Sequence, residues 1–448
     1  MSSPNHSERK ESISNALDKG ALNQVQTLIA DIPASDVAHL IESSPPARRA
    51  VIWKLLERDE QGEVLPYLSE DIRTEQLSQY EAKDIVQLLD ELDNDDFADI
   101  LQELPEQVLE QVLNNLSEEN RRQVEQVLHY DEDTAGGLMD TSFITVRPNI
   151  SSDVVLRYLR LHEELPDNLD ALLVVNRRGA LIGRLTINTL LVANPETPVR
   201  NLMETNFDII NVQTSSQEVA HIFERHDLIS APVTNDQGDL VGRITIDDVV
   251  DVIREDANHS ILSMAGLTED SDTFAPIGKT AQRRAVWLGV NLLTALLASS
   301  VIYLFEETIG AVVYLAAIMP IVASMGGIAG SQTLTLVIRA MALGQLGASN
   351  TSWLLGREIG VALINGLLWA VLVGLFVGYW FNDINIGWIL GLALIVNLFT
   401  AALCGALIPL GLDKLKIDPA LAGGVILTTV TDVVGFFAFL GLATLCYL

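Results

Sequence analysis

Five long apolar stretches fill the last third of this chain and constrain its fold more than any other feature. They run over about Ala285–Leu304, Ile309–Gly330, Ile359–Phe381, Ile384–Leu410 and Leu421–Leu448. Each is near or above the roughly 20 residues that a helix needs to cross a bilayer. Because a backbone in lipid must satisfy its own hydrogen bonds, such segments span the membrane as helices. We therefore predict an all-α transmembrane domain of five helices over residues 285–448.

The links between these stretches predict their orientation. "FEETIG" and "FNDINIG" contain neither Lys nor Arg, whereas the opposite ends carry the basic residues Lys279, Arg283, Arg284, Arg339, Arg357, Lys414 and Lys416. Lys and Arg accumulate in cytoplasmic loops. The N-terminal "MSSPNHSERKES" also lacks the apolar core of a cleaved signal peptide. We predict a multi-pass protein of the cell (inner) membrane with its N-terminus in the cytoplasm and its C-terminus outside.

The charge of the chain is concentrated in its first part. Of 59 acidic and 28 basic residues, 52 and 24 precede Ala285, which gives this part a formal charge of −28 and the rest −3. Such a surface argues against a nucleic-acid partner and is repelled by anionic lipid head groups. It suits divalent cations, although acidic surfaces also serve solubility alone. Because the acidic part is repelled by anionic lipid, we expect membrane lipid to contact the apolar transmembrane domain instead.

An internal repeat lies within the acidic part. "LLVVNRRGALIGRLTINTLL" (172–191) and "APVTNDQGDLVGRITIDDVV" (231–250) align at an offset of 59 residues. Each copy reads as a strand, a tight turn at the first glycine, a second strand, and a helix capped by Thr. The repeat resembles a tandem pair of cystathionine-β-synthase-type (CBS) modules, an α/β domain pair over residues 138–255. Such pairs are usually regulatory, and some bind adenine nucleotides between the copies, which makes ATP an expected ligand.

The residues before the repeat show only helical periodicity. Between 15 and 130, apolar residues recur at intervals of three and four, and Pro33, Pro45, Pro66 and Pro105 punctuate short helices. We predict an all-α N domain here, a superhelix of helix pairs. A disordered N-terminus over 1–14 and a connecting helix or linker over 256–284 complete the predicted multidomain organisation.

Asp432 is the only charged residue between Leu421 and the C-terminus. A carboxylate in the middle of a membrane helix costs at least about 2.5–3.5 kcal/mol, so it faces a bundle interior or a water-filled path. "LAGG" (421–424) permits close helix approach and exposed carbonyls, and hydroxyls are added by Thr428, Thr429 and Thr431. A buried ion pair, or a neutral aspartate that caps helix carbonyls, stays open as an alternative. We predict a cation or proton site at Asp432.

The second stretch complements this acid. In "MPIVASMGGIAGSQTLT" (319–335), we expect Pro320 to break the helix, and three glycines allow close packing. Irregular backbone in a membrane is tolerated only against protein or a water-lined path. Mg²⁺ often binds through one or two carboxylates while it keeps several waters. A two-fold homodimer would bring two Asp432 side chains to one axis and complete such a site.

The whole chain resembles the MgtE family of magnesium channels. The order of domains matches, and so do two pore signatures, "MP…GG.AG.QT" at 319–333 and "DPA…TTVTDVVGF" at 418–436. The sequence departs from the family at Ile328, a usual asparagine, and at His259 and Ser260, where the family often has acids. The resemblance implies a homodimer with its pore on the two-fold axis, Asp432 at the ion site and Asp418 in the gate region.

The same resemblance implies that cytoplasmic Mg²⁺, bound between the N and CBS domains, holds a closed state. Asp95 and Asp99 lie one helical turn apart, as do Asp248 and Asp251, and two acidic faces repel each other unless a divalent ion bridges them. The candidate ligands that match the family are Glu63, Asp95, Asp99, the carbonyl of Gly136, Asp227, Asp248, Asp251 and Asp256. Each of these acids could equally be a solvated surface residue.

Two classes of function remain open. The first is a Mg²⁺-selective channel for magnesium uptake and homeostasis, which could pass other divalent cations. The second is a carrier of divalent cations coupled to H⁺ or Na⁺ at Asp432 and regulated by adenine nucleotide at the CBS pair. An enzyme is not expected, since the sequence has no nucleophile elbow, phosphate-binding glycine loop, CxxC or HExxH motif.

Overall fold

The computed structural model describes residues 12–13, 15–17, 19–30, 32–89, 92, 94–162, 165–166, 168–267, 272–347 and 350–448. Most of the N-terminus predicted to be disordered, and "TEDS" at 268–271, lie outside these residues. The chain divides into two compact units. One comprises Met1–Ala257 and Asp270–Pro276, and the other comprises Asn258–Glu269 and Ile277–Leu448.

The first unit begins with short helices that are joined by tight turns. Their bounds are α1 Leu22–Ile29, α2 Ala34–Glu42, α3 Pro46–Leu55, α4 Arg58–Val64, α5 Glu70–Leu77, α6 Ala82–Leu89, α7 Asn94–Gln102, α8 Glu106–Asn115 and α9 Glu118–Val127. Pro33, Pro45 and Pro105 directly precede α2, α3 and α8, where a proline removes no intrahelical hydrogen bond. Helices two apart in the chain pack together, as α2 does with α4 and α6 with α8. The predicted all-α N domain is confirmed.

Two three-stranded sheets follow. The first contains β1 Thr145–Val146, β2 Ala171–Val175 and β3 Leu181–Thr186, and the second contains β4 Ile210–Asn211, β5 Ser230–Thr234 and β6 Leu240–Thr245. In each sheet the first pair of strands is parallel and the second antiparallel. The helices are α10 Ser152–Leu159, α11 Ile187–Val192, α12 Ser216–His226 and α13 Ile246–Met264.

The repeated glycines have the predicted role. Gly179 and Gly238 turn each hairpin with φ of 91° and 81°, a backbone conformation that side chains with a Cβ rarely adopt. Thr186 also caps α11, because its hydroxyl oxygen accepts a hydrogen bond from the N–H of Thr189. The predicted α/β pair of CBS modules is therefore confirmed.

The segment before the first sheet, residues 134–140, pairs with the second copy. The N–H groups of Ala135 and Gly136 donate to the carbonyls of Thr214 and Val212, and Asp140 exchanges two backbone hydrogen bonds with Arg243. The buried side chains of this last pair lie 3.5 Å apart. We call residues 134–140 the crossing segment. The fold of the second copy therefore depends on residues that precede the first sheet in the sequence.

The second unit contains the apolar helices α14 Ile277–Tyr303, α15 Glu306–Ala311, α16 Tyr314–Ala342, α17 Thr351–Trp380, α18 Ile384–Lys414 and α19 Pro419–Tyr447. Within the described residues, five of them are long and apolar enough to cross a membrane, namely all except α15. Helix α18 is the most buried of the five and packs against α16, α17 and α19. The predicted domain of five membrane helices is confirmed.

The prediction that Pro320 breaks the second span was wrong. Helix α16 continues through Pro320 from Tyr314 to Ala342. A proline in a long helix removes one N–H and bends the helix, while the hydrogen bonds on either side continue. The helix is interrupted earlier, at Val312 and Val313, between the short helix α15 and α16.

Candidate ion pathway and cation sites

Helices α16 and α19 form an open groove of about 870 Å³. Asp432 and Thr428, one turn apart on α19, line one wall. The other wall is one face of α16, whose residues recur at helical spacing: Ala323, Ser324, Gly327, Ile328, Ser331, Gln332, Thr335, Leu336 and Arg339. The groove thus joins one carboxylate to Ser, Gln and Thr side chains that can hold water and a hydrated cation, on a face that Ile328, Leu336 and Arg339 also line.

The hydroxyl groups of the threonines near Asp432 donate hydrogen bonds within their own helix. The hydroxyls of Thr428, Thr429 and Thr431 donate to the carbonyls of Gly424, Val425 and Thr428 at 2.7, 2.7 and 3.0 Å. Such bonds to the preceding turn are common for Ser and Thr in membrane helices. Thr428 lines the groove, while Thr431 is buried. Of the three predicted hydroxyls, the structure therefore brings only that of Thr428 beside Asp432 in the groove.

Asp418 lies at the N-terminal end of α19, whereas Asp432 lies near its middle. Its carboxylate accepts hydrogen bonds from the N–H groups of Ala420 and Leu421 at 2.8 and 3.1 Å and so caps the helix. His259 Nε2 lies 3.2 Å from Asp418 Oδ2. Fourteen residues of helix place Asp418 about 21 Å along the axis from Asp432. The structure thus separates the predicted ion site from the predicted gate residue.

In the first unit, acids from the helical region and from α13 crowd around Tyr67. The pKa of the Tyr67 hydroxyl is raised by burial and then by the charges of Asp96, Asp251, Asp247 and Glu63. Acids from two separate parts of the chain therefore lie close together. We call this group, with Asp248, the acidic junction.

Two of the predicted Mg²⁺ ligands have a carboxyl group whose pKa is strongly raised. Burial, and then the neighbouring charge of Asp96, raises the pKa of Asp99 to about 7. Burial, and then Asp247, raises the pKa of Asp248 to about 7. Hydrogen bonds from Thr245 act in the opposite direction on Asp248 but do not cancel the effect. A nearby cation would relieve the cost of ionising both groups.

The remaining predicted ligands are spread over the unit. Glu63 is exposed on α4, and Asp227 ends α12 in a left-handed conformation with φ of 51°. Asp251 lies 3.7 Å from Arg254, and Asp256 accepts a hydrogen bond from Gln217. The side chain of Asp95 lies outside the described residues. Among the residues that the structure describes, no three His, Cys, Asp or Glu side chains converge as a metal site requires. The ligand set thus remains a prediction.

Sequence reasoning overlooked two polar residues in the membrane helices. Glu358 lies one residue before the predicted third stretch, yet it is buried in α17, where it accepts hydrogen bonds from Thr333 and Arg357 at 3.1 and 2.8 Å. Asn397 is completely buried in α18 and donates to the carbonyl of Val322 at 2.8 Å. The signal for Asn397 was visible in "LIVNLFT", a single amide in an apolar run.

A bundle of membrane helices with a groove that holds one carboxylate, preceded by a helical domain and a CBS pair, defines a regulated membrane transport protein. Residues 319–442 match the family described as MgtE, divalent cation transporter. Residues 32–133 match the MgtE intracellular N domain, and residues 199–255 match the CBS domain.

Known relatives span the whole chain. It is 31% identical to the magnesium transporter MgtE of Thermus thermophilus over 442 residues, 97% of each protein. It is 28% identical to the magnesium transporter MgtE of Bacillus subtilis, over 96% of this chain and 95% of the relative. A crystal structure of the cytosolic domain of the Mg²⁺ channel MgtE in complex with ATP is 31% identical, with a TM-score of 0.50, and covers 54% of this chain and 99% of that one. The chain belongs to the MgtE family.

Proposed function

We propose that this protein is a Mg²⁺-selective channel of the cell membrane that serves magnesium uptake and homeostasis. The observation that carries the proposal is the position of Asp432 in the open groove between α16 and α19. A carboxylate with small and polar neighbours suits a cation that keeps part of its water. The names of the relatives, which are magnesium transporters, support Mg²⁺ as the substrate.

A homodimer is part of this proposal. The groove is open along one side, and in a bilayer Asp432 and the Ser, Gln and Thr side chains of the groove would meet hydrocarbon, which is costly. A second copy related by a two-fold axis would cover the groove and bring a second Asp432 to the same axis. We place the first unit in the cytoplasm and the C-terminus outside, because Arg339 at the end of α16 and Lys414 at the end of α18 mark the cytoplasmic ends.

We further propose that cytoplasmic Mg²⁺ closes the channel by binding at the acidic junction. Burial is the first cause of the raised pKa values of Tyr67 and Asp248, and the charges of neighbouring acids raise them further, which supports a cation at this place. A divalent cation would offset this repulsion and stabilise the compact arrangement. Glu63, Asp96, Asp248 and Asp251 would supply carboxylate oxygens, the ligands that Mg²⁺ prefers. ATP at the CBS pair is an additional proposal, supported by the relative whose cytosolic domain was crystallised with ATP.

The central test is Mg²⁺ flux into liposomes that contain the purified protein. Asp432→Ala should reduce flux at least tenfold, and Asp432→Asn should also fail because the charge attracts the ion. Asp413→Asn, which neutralises an exposed acid at the end of α18 outside the groove, is the matched control and should conduct normally. Normal flux through folded Asp432→Ala protein would refute the pore assignment. Flux that requires a pH or Na⁺ gradient would favour the coupled carrier.

A further inference from the structure

Asn397 lies where the two helices of the groove meet α18. Its side chain is completely buried, and its Nδ2 donates to the carbonyl of Val322 on α16. Val322 directly precedes Ala323 and Ser324, which line the groove. The hydrogen bond therefore connects the central helix to the backbone that carries one groove wall.

Two glycines make room for this amide. A Cβ at Gly326 of α16 would lie 2.2 Å from Asn397 Nδ2, and a Cβ at Gly435 of α19 would lie 2.7 Å from the same atom. Both distances are shorter than side-chain carbon atoms tolerate. Gly435 is three residues from Asp432, on the same turn of α19. The amide thus fills a socket that both groove helices form.

Stability alone does not explain an amide at this position. Asn397 Oδ1 is buried and has no hydrogen-bond partner among the described residues. A buried acceptor without a donor costs free energy, whereas an aliphatic side chain of similar volume would avoid that cost. Only the Nδ2 donor makes a contact that leucine could not make.

The place of this contact on α16 is also significant. Pro320 lies two residues before Val322 and removes one N–H from the hydrogen-bond ladder of α16. A helix bends most readily at such a point. The bond from Asn397 lies just beyond it and restricts how the following groove-lining turn can tilt or rotate.

We propose that Asn397 is a positioning residue for conduction: its amide, seated between Gly326 and Gly435, fixes the spacing of α16 and α19 and hence the place of the Asp432 carboxylate. This inference rests on the proposed function. Replacing the amide should change how the groove fits a hydrated cation. It should alter both the rate of flux and the preference among Mg²⁺, Mn²⁺ and Ca²⁺, which simple loss of folded protein would not alter.

Asn397→Leu is the principal variant, measured as flux per folded protein in liposomes. We expect at least a tenfold lower Mg²⁺ flux and a Mg²⁺-to-Ca²⁺ flux ratio at least threefold different from the parent. Asn291→Leu is the matched control, because Asn291 is exposed on α14 and donates to Trp287 of its own helix. The control should conduct with parental rate and selectivity.

A steric pair provides a second test should Asn397→Leu fail to fold. Gly435→Ala alone should reduce flux, since its methyl group would collide with the amide. Combining it with Asn397→Ala removes the collision and should restore folding, but it also removes the amide, so flux should stay at least tenfold below the parent and the Mg²⁺-to-Ca²⁺ flux ratio should remain altered. Parental flux and selectivity in Asn397→Leu, or in the double variant, would overturn the inference. If Asp432→Ala conducts normally, the pore assignment itself fails, whatever Asn397→Leu shows.

Discussion

At the scale of single residues, the sequence predicted charges better than amides. Asp432 could be identified from the sequence because a carboxylate in a membrane helix is energetically costly and usually marks a functional site. Asn397 carries no charge, and its importance depends on glycines 71 residues before and 38 residues after it. Glu358 was missed since it lies one residue outside the predicted stretch, within a helix that begins at Thr351. The composition of a helix can be read from its own sequence, whereas its contacts with other helices cannot.

The acids with raised pKa values predict how stability depends on pH. Asp99 and Asp248 have pKa values of about 7 in the folded protein, against about 3.9 for aspartate in an unfolded chain. Between these values the folded state binds more protons, so stability falls as pH rises from about 4 to 7.

Without divalent cations, we therefore expect urea denaturation of the first unit in the intact, detergent-solubilised protein to occur at lower urea at pH 8 than at pH 5. The difference should be on the order of 1–3 kcal/mol per group. Asp248→Asn should flatten the dependence, and Mg²⁺ should restore stability at pH 8. Equal stability at both pH values would show that these carboxyls ionise normally.

At the scale of elements, periodicity and hydropathy predicted which segments are helices but not where they end. Helix α14 begins at Ile277, eight residues before the predicted span, because Lys279, Arg283 and Arg284 extend the helix without being apolar. Pro320 was taken as a break, although the rest of α16 favours helix on both sides. Hydropathy reports the surroundings of a segment, whereas helix ends depend on caps and neighbours.

An ion pair attaches the linker before α14 to the N domain. Arg49, buried in α3, donates to both carboxylate oxygens of Asp272 at 2.7 and 2.6 Å. Burial acts to raise the pKa of Asp272, but the hydrogen bonds from Arg49 outweigh it and the pKa lies below its usual range. Asp272 is five residues before Ile277, where α14 begins.

We predict that Asp272→Asn destabilises the N domain by about 3 kcal/mol, because it leaves a buried guanidinium without its counter-ion. Protease should then cut the linker between 265 and 276 faster. Asp84→Asn, which breaks the exposed Arg58–Asp84 pair, should change neither quantity appreciably. An Arg49→Met and Asp272→Leu double variant should recover much of the lost stability. Unchanged cleavage in Asp272→Asn would show that the pair does not hold the linker.

At the scale of the whole molecule, the order of the domains was predictable from charge, repeat and hydropathy. The proximity of acids from the N domain and α13 was not, since Asp96 and Asp248 are 152 residues apart in the sequence. Sequence reasoning chose Asp95 and Asp99 by their spacing, whereas Asp96 is an acid of the N domain whose charge raises the pKa of both Tyr67 and Asp248.

We predict that neutralising Asp96, Asp99, Asp248 and Asp251 to alanine removes closure by Mg²⁺. The substitutions lower the repulsion but also remove the ligands, and a ligand shifts a gate only by its differential affinity for the two states. Flux should persist at high Mg²⁺, and Mg²⁺ should no longer protect the first unit from protease.

The matched control removes four exposed acids elsewhere in the same unit, namely Glu75, Glu81, Glu110 and Glu196. It lowers the net charge equally and should close over the parental Mg²⁺ range. If the variant that lacks Asp96, Asp99, Asp248 and Asp251 closes over that range too, the switch lies elsewhere.

The crossing segment also constrains the order in which the protein can mature during synthesis. Asp140 leaves the ribosome 103 residues before its partner Arg243, whereas the first copy needs only Glu204, 20 residues beyond Arg184. The first copy can therefore fold while most of the second copy has not yet been synthesised. Asp140 must wait unpaired until β6 exists, and closing so distant a contact is slow. A fragment that starts at Thr145 would hold every strand of both sheets and still lack the piece that completes the second.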